Sequence, residues 1–124
     1  MKALSVRQPW ASMLVAGLKT IELRTWAVDY RGPIAIVASK TGDRSALRDW
    51  PDGPRGAIVG VVELIDIRDA VPLDSEASCF ELAPDDDFYA WVVVNAVATQ
   101  PVACRGRLGL FDIDSKLVGD KLSI

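Results

Sequence analysis

The chain has 124 residues, of which 50% are hydrophobic and 25% are charged, and its formal net charge is −3. This length and composition predict one compact domain with a buried core and exclude an intrinsically disordered chain. No apolar run reaches the roughly 20 residues of a membrane-spanning helix, and the first residues lack the pattern of a secretory signal. We therefore expect a cytoplasmic protein without a membrane partner.

The first part of the chain predicts a strand, a short helix and a second strand. Residues 4–8 alternate apolar and polar side chains, as a strand does. A helix is predicted over residues 9–16, because Pro9 suits the first helical position and Gly17 suits the position just past the end. Residues 20–26 then return to alternation. We expect the helix to bury one face, formed by Trp10, Met13, Leu14 and Gly17.

The remainder of the chain predicts mostly strands. Residues 43–50 are expected to form a short helix and residues 51–56 a loop. Gly60, inside a long apolar segment, predicts a β-bulge or a close approach of two backbones. Residues 69–87 are acidic and irregular, and the tail from Asp114 is expected to be a short helix or a loose end. The predicted strands are residues 33–40, 57–67, 88–100 and 106–113.

The predicted strands outnumber the helices and do not alternate with them, which excludes a doubly wound parallel sheet. The expected fold class is α+β. Its curved, mostly antiparallel sheet should form a small, partly closed mixed β-barrel flanked by one or two helices. No linker divides the chain, so residues 1–124 are expected to form a single domain.

Side-chain chemistry narrows the possible functions. The sequence has no histidine, which removes the usual general base, the commonest metal ligand and every Ser–His or Cys–His pair. Cys79 and Cys104 without histidine make no zinc site, and they suit a reducing compartment while leaving one disulfide open. We therefore expect no metal and no cofactor, and a nuclease ranks lowest among the functions considered.

The charges are unevenly distributed along the chain. Residues 1–55 carry nine basic and five acidic side chains, whereas the remainder carries five and twelve. This distribution permits a local positive face, although the order of charges in a chain need not match their order on its surface. A chain that is acidic overall cannot neutralise the many phosphates of a long duplex, so a small or single-stranded ligand is favoured.

The segment GLKTIELRTW, residues 17–26, brings three charges into an apolar stretch. Alternation places Glu22, Arg24 and Trp26 on one face of the strand, whereas Lys19 lies in the preceding turn and its direction is not set. These side chains either face water or line a pocket for a polar ligand. Arginine offers a planar fork to phosphate or guanine, and a carboxylate accepts from an exocyclic amine such as that of cytosine.

Further ligand-binding candidates lie elsewhere in the chain. Arg7 and Gln8 precede the predicted helix, whose free N–H groups favour an anion. Ser39 and Lys40 end a predicted strand and are candidates to line the same cleft. Trp10, like the tryptophan of the segment above, suits stacking on a base, although such a side chain is more often part of a core.

Glu63 is a candidate acid or base on the longest predicted strand. Alternation places it on one face with Val59, Val61 and Ile65. A carboxyl group buried among these apolar side chains would suit proton transfer. The alternative is that this face is half open to water and that Glu63 is an ordinary surface residue.

Three segments in order resemble the activating signal cointegrator homology (ASCH) domain, a family with a PUA-like β-barrel. They are RQPWA at the helix start, the G-x-K-x-x-E-x-R pattern at residues 17–24, and the later strand GAIVGVVELID. The resemblance covers Leu4 to Asp66. It implies a cleft between the first helix and the barrel, near Lys19, Glu22 and Arg24. The implied partner is RNA, another single-stranded nucleic acid, or a nucleoside or nucleotide.

Some small members of this family are similar to amidohydrolases that remove the acyl group from N4-acetylcytidine. In that branch a lysine at the signature position is the central catalytic residue, and a threonine and a glutamate assist it. Lys19 matches this lysine, while Glu22 stands where the branch has threonine. The RQPW segment is more similar to the cointegrator-like branch.

Two hypotheses follow. The first is a small RNA- or nucleotide-binding module that holds a base and a phosphate in the cleft. The second is an amidohydrolase of N4-acylcytidine-type nucleosides, in which Lys19 is catalytic and Glu22 or Glu63 moves protons. Catalysis requires a partly neutral Lys19, whose pKa Arg7 and Arg24 would lower and Glu22 would raise, whereas binding requires no such shift.

Overall fold

The protein is built around one six-stranded mixed sheet, and a computed structural model describes residues 1–119. The strands are β1 Lys2–Val6, β2 Ile21–Arg24, β3 Gly32–Ala38, β4 Ala57–Asp69, β5 Tyr89–Ala103 and β6 Leu110–Asp112. They lie in the order β2, β5, β4, β3, β1, β6. β1 pairs with β3 in parallel, and the other neighbouring strands are antiparallel. The sheet curls into a half-barrel, which confirms the predicted α+β fold with a small, partly closed barrel.

Short helices flank the sheet. Helix α1 spans Trp10–Val15 and confirms the predicted helix, and helix α2 spans Ser75–Ser78 within the segment expected to be irregular. Gly17 follows the end of α1 with a φ of 77°, a left-handed conformation that costs glycine little. The predicted helix over residues 43–50 is a single 3-10 turn, Ala46–Arg48. Residues 120–124, at the end of the predicted tail, lie outside the described residues.

Helix α1 packs on the sheet through Ala11, Leu14 and Val15, which belong to the core cluster between the helix and the sheet. These positions are three and four residues apart, as in any helical stripe that faces a core. Trp10 is half-buried and packs against the same cluster, whereas Gly17 is exposed. The predicted buried face is therefore wrong only at Gly17.

Gly60 of β4 lies where two backbones approach closely. The register between β3 and β4 shifts between Ile36 and Val37, which marks a β-bulge. A Cβ atom on Gly60 would clash with the carbonyl oxygen of Val97 on β5 and would lie 2.6 Å from Cγ1 of Val15 in α1. Both the predicted bulge and the predicted close approach are confirmed.

Replacing Gly60 with Ala is expected to lower the free energy of unfolding by about 1–3 kcal/mol, because the backbone of β5 must move to admit one methyl group. Urea denaturation measures this change. Gly60→Ser should destabilise the protein at least as much. An unchanged denaturation midpoint in both variants would contradict the close approach.

Candidate functional site

Glu22 is the centre of a compact charge cluster at the edge of the sheet. Arg24 lies on the same face of β2, as predicted, and its Nη2 and Nε lie 2.7 and 3.1 Å from Oε2 of Glu22. On the other side, Nζ of Lys19 lies 3.5 Å from Oε1. Arg24 Nη2 also donates to the carbonyl of Ser5 at 2.8 Å, which ties the cluster to β1. The Glu22 carboxylate is therefore held between two cations.

The Lys19 side chain is buried, since only 4% of the residue is exposed. Its ammonium group donates to the carbonyl of Ser78 at the end of α2, and it lies 5.3 Å from the ring centroid of Trp10. Burial lowers the pKa of Lys19 and outweighs the Glu22 carboxylate, which raises it. The Lys19 ammonium group thus pairs with the Glu22 carboxylate from the buried side of the charge cluster.

An ion pair fixes the segment that supplies the Ser78 carbonyl. Nη1 and Nη2 of Arg68 each lie 2.8 Å from a carboxylate oxygen of Asp74. The backbone N–H of Val71 donates to the same carboxylate at 2.9 Å. The hydrogen bonds from Arg68 lower the pKa of Asp74 and keep the carboxylate charged. Helix α2 begins directly after Asp74, so this contact holds its last carbonyl within reach of Lys19.

A cavity of about 540 Å³ opens beside the charge cluster, and we call it the tryptophan cavity. Two half-buried indole rings line it, and three arginines supply positive charge around Glu22. Its lining residues are Ser5, Val6, Arg7, Trp10, Glu22, Leu23, Arg24, Thr25, Trp26, Ser39, Phe88, Arg107, Leu108 and Gly109. The cavity therefore brings together six of the predicted site residues, namely Arg7, Trp10, Glu22, Arg24, Trp26 and Ser39.

A second cavity, of about 860 Å³, adjoins the first, and we call it the basic cavity. The loop between β5 and β6 forms one wall, and the residues that follow β3 form another. Its lining residues are Ser5, Ser39, Lys40, Gly56, Ala103, Cys104, Arg105, Gly106, Arg107 and Leu108. Among the described residues the lining has three cations and no carboxylate, and it includes the predicted residue Lys40.

Gln8 is a predicted ligand-binding residue that the structure places elsewhere, because it has no exposed surface. Its Oε1 accepts from the backbone N–H of Ser12 at 3.0 Å, and its Nε2 donates to the carbonyl of Pro54 at 2.8 Å. The side chain therefore occupies a donor of α1 that was expected to be free. Gln8 thus joins α1 to a distant loop, whereas Arg7, the other residue of the expected anion site, lines the tryptophan cavity. Anion binding at the helix start stays a prediction.

Of the three predicted catalytic residues, Glu22 lines the tryptophan cavity, whereas Lys19 and Glu63 line neither the tryptophan cavity nor the basic cavity. Glu63 lines a separate cavity of about 480 Å³ and accepts from Nδ2 of Asn95 at 3.0 Å. The bulge in β4 places Val59 in the core beneath α1 and Val61 on the opposite face of the sheet. The predicted shared face is therefore interrupted, and Glu63 and Lys19 are not brought together.

Sequence reasoning missed the loop RGRLG, residues 105–109, which lines both cavities. Its two arginines stand in the acidic part of the chain, and this local reversal of charge was the signal that could have identified them. The loop lies against β1, because a Cβ atom on Gly106 would clash with Oγ of Ser5. The alternation of residues 106–113 predicted a strand there, whereas β6 begins only at Leu110.

Three further findings concern metal ligands, thiols and membrane-spanning helices. Among residues 1–119, no group of three or more His, Cys, Asp or Glu side chains is placed to hold a metal ion. Cys79 and Cys104 are free thiols, and burial raises the pKa of Cys104, which lines the basic cavity. No helix within residues 1–119 has the length and apolar character required to cross a membrane.

The curled six-stranded sheet, with the cleft beside its first helix, defines a small PUA-like domain. The family model of the ASCH domain matches residues 4–103. The chain therefore belongs to the ASCH domain family.

The chain is 37% identical over 140 residues to activating signal cointegrator 1 from Mus musculus, an alignment that covers 92% of this chain and 22% of that protein. It is 40% identical over 79 residues to activating signal cointegrator 1 from Homo sapiens, which covers 51% of this chain and 14% of that protein. The chain thus spans at most about a fifth of the length of these relatives.

Solved structures share the fold. The crystal structure of ASCH from Zymomonas mobilis has a TM-score of 0.66 and 15% identity, and the alignment covers 98% of this chain and 92% of that chain. A mutant of the same protein also has a TM-score of 0.66, with 14% identity and coverage of 99% and 96%. At this level of identity, the comparison supports the architecture and not the function.

Proposed function

We propose that this domain binds single-stranded nucleic acid, with one base in the tryptophan cavity and a neighbouring phosphate on the arginines at its rim. The observation that carries the proposal is the composition of the cavity. It combines the partly accessible rings of Trp10 and Trp26 with Arg7 and Arg107 around the fixed carboxylate of Glu22.

Each component of the cavity matches one part of a nucleotide. Stacking of a base on an aromatic side chain contributes about 1–3 kcal/mol and tolerates any base. Within residues 1–119, Arg7 and Arg107 make no ion pair, so their guanidinium groups are available for phosphate oxygens. The Glu22 carboxylate still has lone pairs for an exocyclic amine, although two cations already hold it.

The amidohydrolase hypothesis has one favourable feature, which is that burial lowers the pKa of Lys19. Against it, the Lys19 amine donates to the Ser78 carbonyl and does not line either cavity. Glu63 lies in a different cavity from the remaining candidates. Binding needs neither a neutral amine nor a second carboxylate, so it is the function that the geometry supports best.

Replacing Trp26 with Leu is expected to weaken binding of a mixed-sequence single-stranded RNA about tenfold, because the stacking surface is lost. Fluorescence anisotropy of the labelled RNA measures the affinity. Trp50→Leu is the matched control, because Trp50 is 42% exposed and lines neither cavity. Equal affinities of the two variants would contradict the placement of the base, and wild-type protein that prefers duplex RNA would contradict the proposed function.

A further inference from the structure

The two cavities are adjacent to each other. Ser5, Ser39, Arg107 and Leu108 line both of them. Each volume lies within the range of about 300–1,000 Å³ that ligand cavities usually have. A ligand in the tryptophan cavity therefore lies next to the basic cavity.

The two cavities differ in the chemistry of their linings. The tryptophan cavity offers aromatic rings and the Glu22 carboxylate, whereas the basic cavity has neither an aromatic ring nor a carboxylate in its lining. Its cations are Lys40, Arg105 and Arg107, all exposed. Within residues 1–119 none of these three makes an ion pair. Their charge is thus not neutralised by the protein and is available to an anion.

We propose that the ligand of this cleft is an oligonucleotide of at least two linked nucleotides, and not a free nucleoside or mononucleotide. The inference rests on the proposed function, because it takes the tryptophan cavity as the site of the first base. The next phosphate of the strand lies in the basic cavity, on Lys40, Arg105 and Arg107.

Electrostatics sets the placement of the two groups. The Glu22 carboxylate, with which Arg24 is already paired, disfavours a phosphate deep in the tryptophan cavity, so the phosphate of the first nucleotide stays at the rim. The three unpaired cations of the basic cavity favour the next phosphate of the strand. Arg107 lines both cavities and is therefore placed at the link between the base and this phosphate.

The test compares ligands of increasing length by calorimetric titration. The ligands are the four ribonucleoside 5′-monophosphates and mixed-sequence RNA and DNA strands of two, four and eight nucleotides. The proteins are the wild type, the double variant Lys40→Ala with Arg105→Ala, and the control double variant Arg44→Ala with Arg48→Ala. Arg44 and Arg48 are exposed and line neither cavity.

Wild-type protein should bind a tetranucleotide at least about tenfold more tightly than a mononucleotide, because charge-assisted contacts are added. The variant at Lys40 and Arg105 should lose this gain and keep the mononucleotide affinity. The slope of log K against log salt should become shallower by up to about 0.7 in this variant, because one phosphate of the strand loses cations that neutralise it. The control variant should match the wild type, and the RNA and DNA series show which sugar is preferred.

Two results would overturn the inference while leaving the proposed function intact. One is a wild-type protein that binds mononucleotides and longer strands equally well. The other is the same gain with length in the variant at Lys40 and Arg105 as in the wild type. If neither mononucleotides nor strands of any length bind the wild-type protein, the proposed function itself is wrong, and the inference is wrong with it.

Discussion

Replacing Glu22 with Ala is expected to lower the free energy of unfolding by about 3–5 kcal/mol, because it leaves a buried ammonium group without its counter-charge. Lys19 is only 4% exposed, and Oε1 of Glu22 is its carboxylate partner at 3.5 Å. Urea denaturation measures the loss. The matched control is Glu81→Ala, because Glu81 is exposed and should change the stability little. Similar losses in the two variants would contradict the role of Glu22.

The dependence of stability on pH provides a second readout of the same pair. The pKa of Lys19 in the folded protein is lowered from its ordinary value of 10.5. Between the lowered pKa of the folded protein and 10.5, the unfolded chain binds a proton that the folded protein does not, so stability should rise with pH in this window. Glu22→Ala removes a cause that raises this pKa and should extend the rise to lower pH. Adding Lys19→Met should abolish the rise in both backgrounds.

Replacing Arg7 and Arg107 together with Ala is expected to weaken binding of single-stranded RNA about a hundredfold, because two charge-assisted contacts are lost. Both residues are exposed and make no ion pair within residues 1–119, so the fold should be unaffected. Fluorescence anisotropy at several salt concentrations measures the affinity, and the salt dependence should become shallower.

The control for this experiment is the double variant of Arg44 and Arg48, which removes the same charge from outside the two cavities. The chain is acidic, so a general loss of positive charge would weaken binding in both double variants to a similar extent. Equal losses would show that binding depends on net charge, which would contradict a specific contact at Arg7 and Arg107.

The parts of the site that sequence could predict depend on neighbours in the chain. Alternation along a strand placed Glu22 and Arg24 on one face, and the ion pair between them confirms it. Pro9 and Gly17 bounded the first helix for reasons that concern only the adjacent turns. The resemblance to the ASCH family added the position of the cleft, near the residues that now line the tryptophan cavity.

The parts that sequence could not predict depend on contacts between distant segments. Gln8 is buried because the carbonyl of Pro54, 46 residues away, accepts from its amide. Lys19 points inward because a helix that follows β4 presents the carbonyl of Ser78. Arg107 reaches the cleft because its loop folds back against β1, which no local pattern indicates. One bulged residue in β4 was enough to break the alternation expected around Glu63.

The most direct test of base binding in the tryptophan cavity follows the four indole N–H signals of ¹⁵N-labelled protein by NMR during titration with a mixed-sequence single-stranded tetranucleotide. Trp10 and Trp26 line the cavity, whereas Trp50 is on the surface elsewhere and Trp91 is buried. We predict that the signals of Trp10 and Trp26 shift together and saturate, while the signal of Trp50 stays in place. Saturable binding that shifts only Trp50, or that leaves Trp10 and Trp26 unchanged, would contradict the account.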